Sequence, residues 1–132
     1  MEKSILKSPK VASPRPGQIM SQGVKVTGGT TVYTSGQVAR NSQAEVVGVG
    51  DAAAQTRQVL ENLKSVLAEA GATLDDIVKV VVYVTDVDDF AAIHKVRAEY
   101  FKDDYPASTL VEVAALAGPD LLVEIEAIAV IP

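Results

Sequence analysis

A chain of 132 residues, 48% hydrophobic and 22% charged, is one compact domain, too short for two and too apolar for a disordered or fibrous class. The absence of Cys removes disulfides, thiolate catalysis and Cys-ligated metal centres, and a lone His, His94, excludes a histidine-rich metal site within one chain. The net charge of −5 is split, with six Lys or Arg against one Glu over residues 1–40 and six against sixteen Asp or Glu over residues 41–132; only Tyr33 accompanies the basic part, which speaks against a nucleic-acid binder.

Residues 1–22 contain Pro9, Pro14, Pro16 and Gly17 and read as an irregular arm of a single domain spanning 1–132. Short strands are expected at Gly23–Val26 and Thr31–Ser35, and Thr27-Gly28-Gly29-Thr30 between them reads as a hairpin turn. Residues 38–50 read as a loop, with Glu45–Val47 as a candidate edge strand. A helix is expected from Asp51 to Ala70. Asp51 suits the N-cap, Ala52, Thr56, Val59, Leu60, Leu63, Val66, Leu67 and Ala70 fall on one face, and Gly71 supplies the stop. A second helix is expected from Asp89 to Phe101, with Asp86, Asp88 and Asp89 at the positive end of its dipole and Phe90, Ile93, Arg97, Tyr100 and Phe101 on one side. Strands at Ile77–Val84, Thr109–Ala115 and Leu121–Val130 complete an α+β fold, a mixed sheet with two helices packed on one face.

The longest nearly apolar run, Ile77–Val84, has eight residues and is interrupted by Lys79, far short of a bilayer span. The first ten residues hold no apolar stretch of the kind a secretion signal needs, so the expected location is cytoplasmic.

Two strands carry apolar residues on both faces. Val123, Ile125, Ala127 and Ala129 alternate with Leu122, Glu124, Glu126, Ile128 and Val130; Val78, Val80, Val82 and Val84 alternate with Lys79, Val81 and Tyr83. Two helices cover one face of a sheet, and a water-exposed face normally shows polar alternation. The second face is therefore expected to be buried against further copies of the chain.

No phosphate-binding loop, dinucleotide fingerprint, metalloprotease or EF-hand pattern occurs. Glu124 and Glu126 share one strand face among apolar neighbours, where a carboxylate needs a cation, hydrogen bonds, water or a shared proton. Either Lys79 or a neighbouring subunit's lysine neutralises one of them, or one orients a water as general base. His94 is either a half-buried helix residue or a ligand contact and proton donor in a subunit cleft. Arg97, three residues on, is either a solvated helix residue or a cation for the same cleft. Ser35-Gly36, at a strand end, sets a hydroxyl beside a point of close backbone approach.

Five ordered segments resemble the Rid (YjgF) family, also described as endoribonuclease L-PSP: Thr34-Ser-Gly-Gln-Val38, Gln55 through Lys64, Val84 through Phe90, Pro106 through Ala115, and Val123-Glu-Ile-Glu-Ala-Ile-Ala-Val130. They span the chain from about Gln22 onward, in the family's order and near its spacing. The resemblance implies a chorismate-mutase-like protomer assembled as a homotrimer, with small-molecule clefts between subunits. It also implies cofactor-free, metal-free hydrolysis of reactive enamine or imine intermediates to 2-keto acids and ammonia. In that chemistry an arginine grips the substrate carboxylate and a glutamate holds the attacking water. Glu124 matches that glutamate, and Ser35 and Gly36 match a cleft wall.

The departures from the family pattern fall in the cleft. Where the deaminases read Pro-Ala-Arg, this chain reads Pro106-Ala107-Ser108, so Ser108 and Thr109 line the former anion site. Met20 stands for the usual cleft tyrosine, His94 for a helix asparagine and Arg97 for a common helix tyrosine. The resulting expectation is a deaminase or related hydrolase of altered substrate, with Glu124 and His94 catalytic and Met20, Ser35, Gly36, Arg97, Ser108 and Thr109 binding substrate. The alternative is a non-catalytic small-molecule-binding trimer; an endoribonuclease fits least.

Overall fold

The computed structural model describes residues 1–132 and orders them as β1 (Glu2–Leu6), β2 (Gly23–Thr27), β3 (Thr30–Tyr33), β4 (Gln37–Val38), α1 (Ala52–Ala68), β5 (Ile77–Val84), α2 (Phe90–Tyr100), β6 (Ala107–Glu112) and β7 (Val123–Ile131). β7 is the hub of the main sheet. It pairs antiparallel with β5 on one side and with β3 and β4 on the other, and β6 lies parallel to β5 at the far edge. Parallel neighbours need a long crossover, and here α2 supplies it.

Both helices pack on one face of this sheet. Val59, Leu60, Leu63 and Leu67 of α1, with Ile93 and Val96 of α2, meet Val80, Val82, Val84, Val123, Ile125, Ala127 and Ala129 in one aliphatic core. Each Val, Leu or Ile among them contributes about 1.5–3 kcal/mol when fully buried. The Arg57–Glu99 ion pair joining α1 to α2 is half exposed on both sides, where water screens it and it adds little. Aliphatic packing therefore holds the helices down.

The expected α+β class, the two helices and the mixed sheet are all present. Asp51 caps α1, its carboxylate accepting from the Ala54 N–H at 3.0 Å, and Gly71 follows the helix with φ of +75°. Inside α1 the buried face differs by two residues: Val66 is exposed, whereas Gln55 is fully buried. The Gln55 amide donates to the carbonyls of Gly48 and Asp120 and accepts from the Leu122 N–H, at 2.8–3.1 Å. It staples the entry of α1 to the loop that feeds β7. On α2, Phe90 stands partly exposed and Val96 takes its place in the core.

Several local expectations are corrected. The arm is not irregular throughout: Glu2–Leu6 forms an antiparallel ribbon with β2, running from Glu2 opposite Thr27 to Leu6 opposite Gly23. The Gly28-Gly29 turn does not close a hairpin. Both glycines take left-handed φ (+75° and +84°), but β2 stays with β1 while β3 crosses to the edge of β7. The long edge of β7 offers β3 a ladder that β2 has already given to β1. In β5 the register slips between Ile77 and Lys79, so Ile77 rather than Val78 turns into the core. Residues Glu45–Val47 form no strand beyond a single bridge from Val46 to Arg40, and the last two strands begin at Ala107 and Val123.

The other sheet face carries Lys79, Val81 and Tyr83 of β5 and Glu124, Glu126 and Ile128 of β7, all half-buried, with no helix over them. No helix is long and apolar enough to cross a membrane.

Because three backbone groups depend on one fully buried side chain, Gln55→Leu is expected to destabilise the fold by about 2–3 kcal/mol, near 1 kcal/mol per lost hydrogen bond. Urea unfolding followed by circular dichroism measures it.

Candidate functional site

The candidate residues fall into two groups on opposite faces of the sheet. The first sits where the arm crosses the helix side of β6. Ser21 is nearly buried; its N–H donates to the Pro106 carbonyl and its hydroxyl to the Tyr105 carbonyl, at 3.1 and 2.7 Å. This stitch lays Ile19 and Met20 along the edge of β6. Just upstream, Arg15-Pro16-Gly17-Gln18 folds into a turn closed by the Gln18 N–H on the Arg15 carbonyl at 3.0 Å, with Gly17 at φ +85°. Proline followed by a glycine of positive φ is the pairing a type II turn demands.

That turn delivers a carbonyl to α2: the His94 Nε2 is hydrogen-bonded to the Gly17 oxygen. A carbonyl only accepts, so Nε2 carries the proton. The other ring nitrogen, Nδ1, is buried and has no partner. Phe90 stacks on the ring with centroids 5.0 Å apart. One turn along α2, Arg97 is 3% exposed, and its guanidinium donates to the Ile19 carbonyl at 3.3 Å and the Ser108 hydroxyl at 3.2 Å. Burial alone lowers its pKa, to about 10. Met20, Phe90, His94, Arg97, Ser108 and Leu110 border a cleft of about 120 Å3.

The second group lies on the open face. Thr34 laces the β3–β4 connection to β7: its N–H donates to the Ala127 carbonyl and its Oγ1 accepts from the Ala127 N–H, both at 3.0 Å. This brings Gly36 against Glu124. A Cβ on Gly36 would lie 2.0 Å from the Glu124 Oε2, so the carboxylate rests directly on the glycine. Ser35 beside it is exposed. The two glutamates differ in state. Glu126 accepts from the Tyr83 hydroxyl at 2.6 Å, and this hydrogen bond to a carboxylate is the main reason the phenol pKa is raised. Glu124 has no such partner. Lys79 neutralises neither; its ammonium donates to Thr109 Oγ1 at 2.9 Å.

The structure thus brings Met20, His94, Arg97 and Ser108 together and places Ser35, Gly36, Thr109 and Glu124 elsewhere. Strand alternation is the reason. Ser108 is in register with Val80, which faces the core, and Thr109 with Val81, which faces away. Arg97 is no solvated helix residue. Sequence reasoning missed the Gly17 carbonyl and the Thr34 clasp; Pro16-Gly17 was a signal for the first, and nothing local signalled the second.

The sequence model of the family described as endoribonuclease L-PSP matches residues 11–131. A RutC family protein of Pyrococcus abyssi is 43% identical over 117 residues, 89% of this chain and 90% of that protein. A protein of Acinetobacter baylyi named 3-aminoacrylate deaminase RutC is 45% identical over 98 residues, 74% of this chain and 77% of that one. Among solved structures, the Rid-family protein YyfB of Yersinia pestis, described as of unknown function, superposes with a TM-score of 0.88 at 40% identity, covering 99% of this chain and 100% of that chain. With the same sheet, helices and ordered motifs, the chain belongs to the Rid (endoribonuclease L-PSP) family.

Proposed function

We propose that this chain is a cofactor-free hydrolase of small enamine or imine acids, a deaminase in the broad sense, acting in clefts between the subunits of a homotrimer. The observation that carries this reading is the state of Glu124: a carboxylate seated on a bare glycine, on the half-buried open sheet face, without the hydrogen bond that occupies its neighbour Glu126. Such a group can hold a water and take its proton. Water adds to the carbon of the iminium tautomer, the proton passes through the carboxylate to the nitrogen, and the carbinolamine collapses to a carbonyl compound and ammonia. The relative named 3-aminoacrylate deaminase supports the same bond cleavage.

Assembly follows from the geometry of the two groups. Glu124 on the open face and Arg97 with Ser108 on the helix face cannot meet one ligand within a protomer, since β5 and the thickness of the sheet separate them. A neighbouring copy seated on Val81, Tyr83 and Ile128 would bury the open face and bring its own cleft to Glu124. A second reading, ligand binding without turnover, draws on Ser108 standing where the family's deaminases carry an arginine. The endoribonuclease reading is disfavoured by the two carboxylates on the open face, which repel a phosphodiester.

Sedimentation velocity is expected to give a trimer; a stable single chain would remove the shared cleft. With 2-aminoacrylate generated by a serine dehydratase, or 3-aminoacrylate generated in situ, the protein is expected to accelerate ammonia release. Glu124→Gln should cut that rate by about 10²–10⁴-fold, while Glu126→Gln should leave most of it. Ligand affinity without any acceleration would favour the second reading. Gly36→Ala is expected to lower the rate at least tenfold on the scale of a misplaced catalytic group with little change in Tm, because the new methyl displaces the flexible end of Glu124 rather than backbone.

A further inference from the structure

The guanidinium of Arg97 is a buried cation without a counterion. No carboxylate lies within ion-pair distance of it; the two ion pairs of the chain, Arg57–Glu99 and Lys64–Glu61, are elsewhere. Its two acceptors are a carbonyl and a hydroxyl, both neutral. Buried charges are ordinarily paired, and in a chain with 17 acidic residues the lack of a partner is a feature of this place, not of composition. The cleft also shares Phe90 and His94 with an outer groove that reaches Arg15, and neither is bordered by an Asp or Glu.

We infer that Arg97 and Ser108 form an anion anchor, and that the cleft takes a small monocarboxylate. Ser108 Oγ accepts from Arg97, so its own proton is free to be donated onward to a carboxylate oxygen. The remaining guanidinium N–H groups supply the second half of a charge-assisted contact. His94 borders the same cleft, held in place by its Nε2–H on the Gly17 carbonyl. Phe90, Met20 and Leu110 wall the rest. A cavity of about 150 Å3 holds a benzene-sized molecule, so about 120 Å3 suits roughly six heavy atoms. The attraction of a bound anion would also offset the burial that lowers the Arg97 pKa. This inference rests on the proposed hydrolase reading for the identity of the site and gives it an anchoring residue: the carboxylate of the enamine acid is held from α2, by Arg97, instead of from β6, where Ser108 stands.

Calorimetric titration with lactate and with its neutral isostere lactamide tests the anchor directly. The wild-type protein is expected to bind lactate at least tenfold more tightly than lactamide. Arg97→Met should erase that difference, and Ser108→Ala should reduce it severalfold. Replacing an unpaired buried cation by an apolar chain of similar length is tolerated in many cores. Should Arg97→Met not fold, Arg97→Lys keeps the charge without the planar fork and should still weaken lactate markedly. Equal affinities for lactate and lactamide, no lactate binding at all, or an Arg97 variant that binds lactate as the wild type does would each overturn the anchor. The hydrolase reading fails separately: lactate binding that depends on Arg97, with no ammonia released from any enamine acid, refutes turnover alone. Enamine hydrolysis with an unchanged KM in the Arg97 variant refutes the anchor alone.

Discussion

β7 has to satisfy two environments at once, and the molecule is arranged around that demand. Its odd-numbered residues from Val123 to Ala129 lie under the helices in the aliphatic core, while Glu124, Glu126 and Ile128 project from the other side. Because β7 is paired on both edges, by β5 and by β3 and β4, it cannot slip. A one-residue shift would drive two carboxylates into the core and expose its aliphatic residues. Register is therefore fixed by free energy, and the position of Glu124 with it.

Around that fixed strand the chain uses single polar side chains as clasps. Gln55 ties the start of α1 to the loop before β7, Thr34 ties the β3–β4 connection to Ala127, and Ser21 ties the arm to the turn before β6. Each satisfies backbone groups that burial would otherwise leave unpaired, at a cost near 1 kcal/mol apiece. Together they convert a sheet with two helices into a scaffold whose loops hold defined positions. Gly36 then meets Glu124, and Ile19 meets Arg97.

The two polar clusters differ in electrostatic character. On the open face, carboxylates dominate, one engaged by a phenol and one free. On the helix face, a buried guanidinium stands beside a hydroxyl and an imidazole with no acidic residue at hand. Under the proposed function the first would activate water and the second would anchor an anionic imine, and the sheet keeps them apart within one protomer. The open face, half-buried and with no helix over it, is where a second copy would sit under the proposed function.

The alternation of β5 and β7, the cap at Asp51, the stop at Gly71 and the ordered motifs made fold class, helices and family legible from the residues in order, because these features depend on neighbours within a few positions. The ribbon formed by Glu2–Leu6 and the departure of β3 from its Gly-Gly turn were not legible. Strand partners are chosen by what edge is available in three dimensions, and a short stretch such as Glu-Lys-Ser-Ile-Leu carries little signal alone. The candidate site residues could be named from their types and places in motifs. Only the tertiary structure decided that Ser108 and Thr109 face opposite ways in the folded sheet, that Arg97 is buried without a counterion, and that Glu124 rather than Glu126 is unengaged. Those outcomes rest on contacts between residues far apart in the chain, Arg97 with Ile19 and Gly36 with Glu124, which no local pattern encodes.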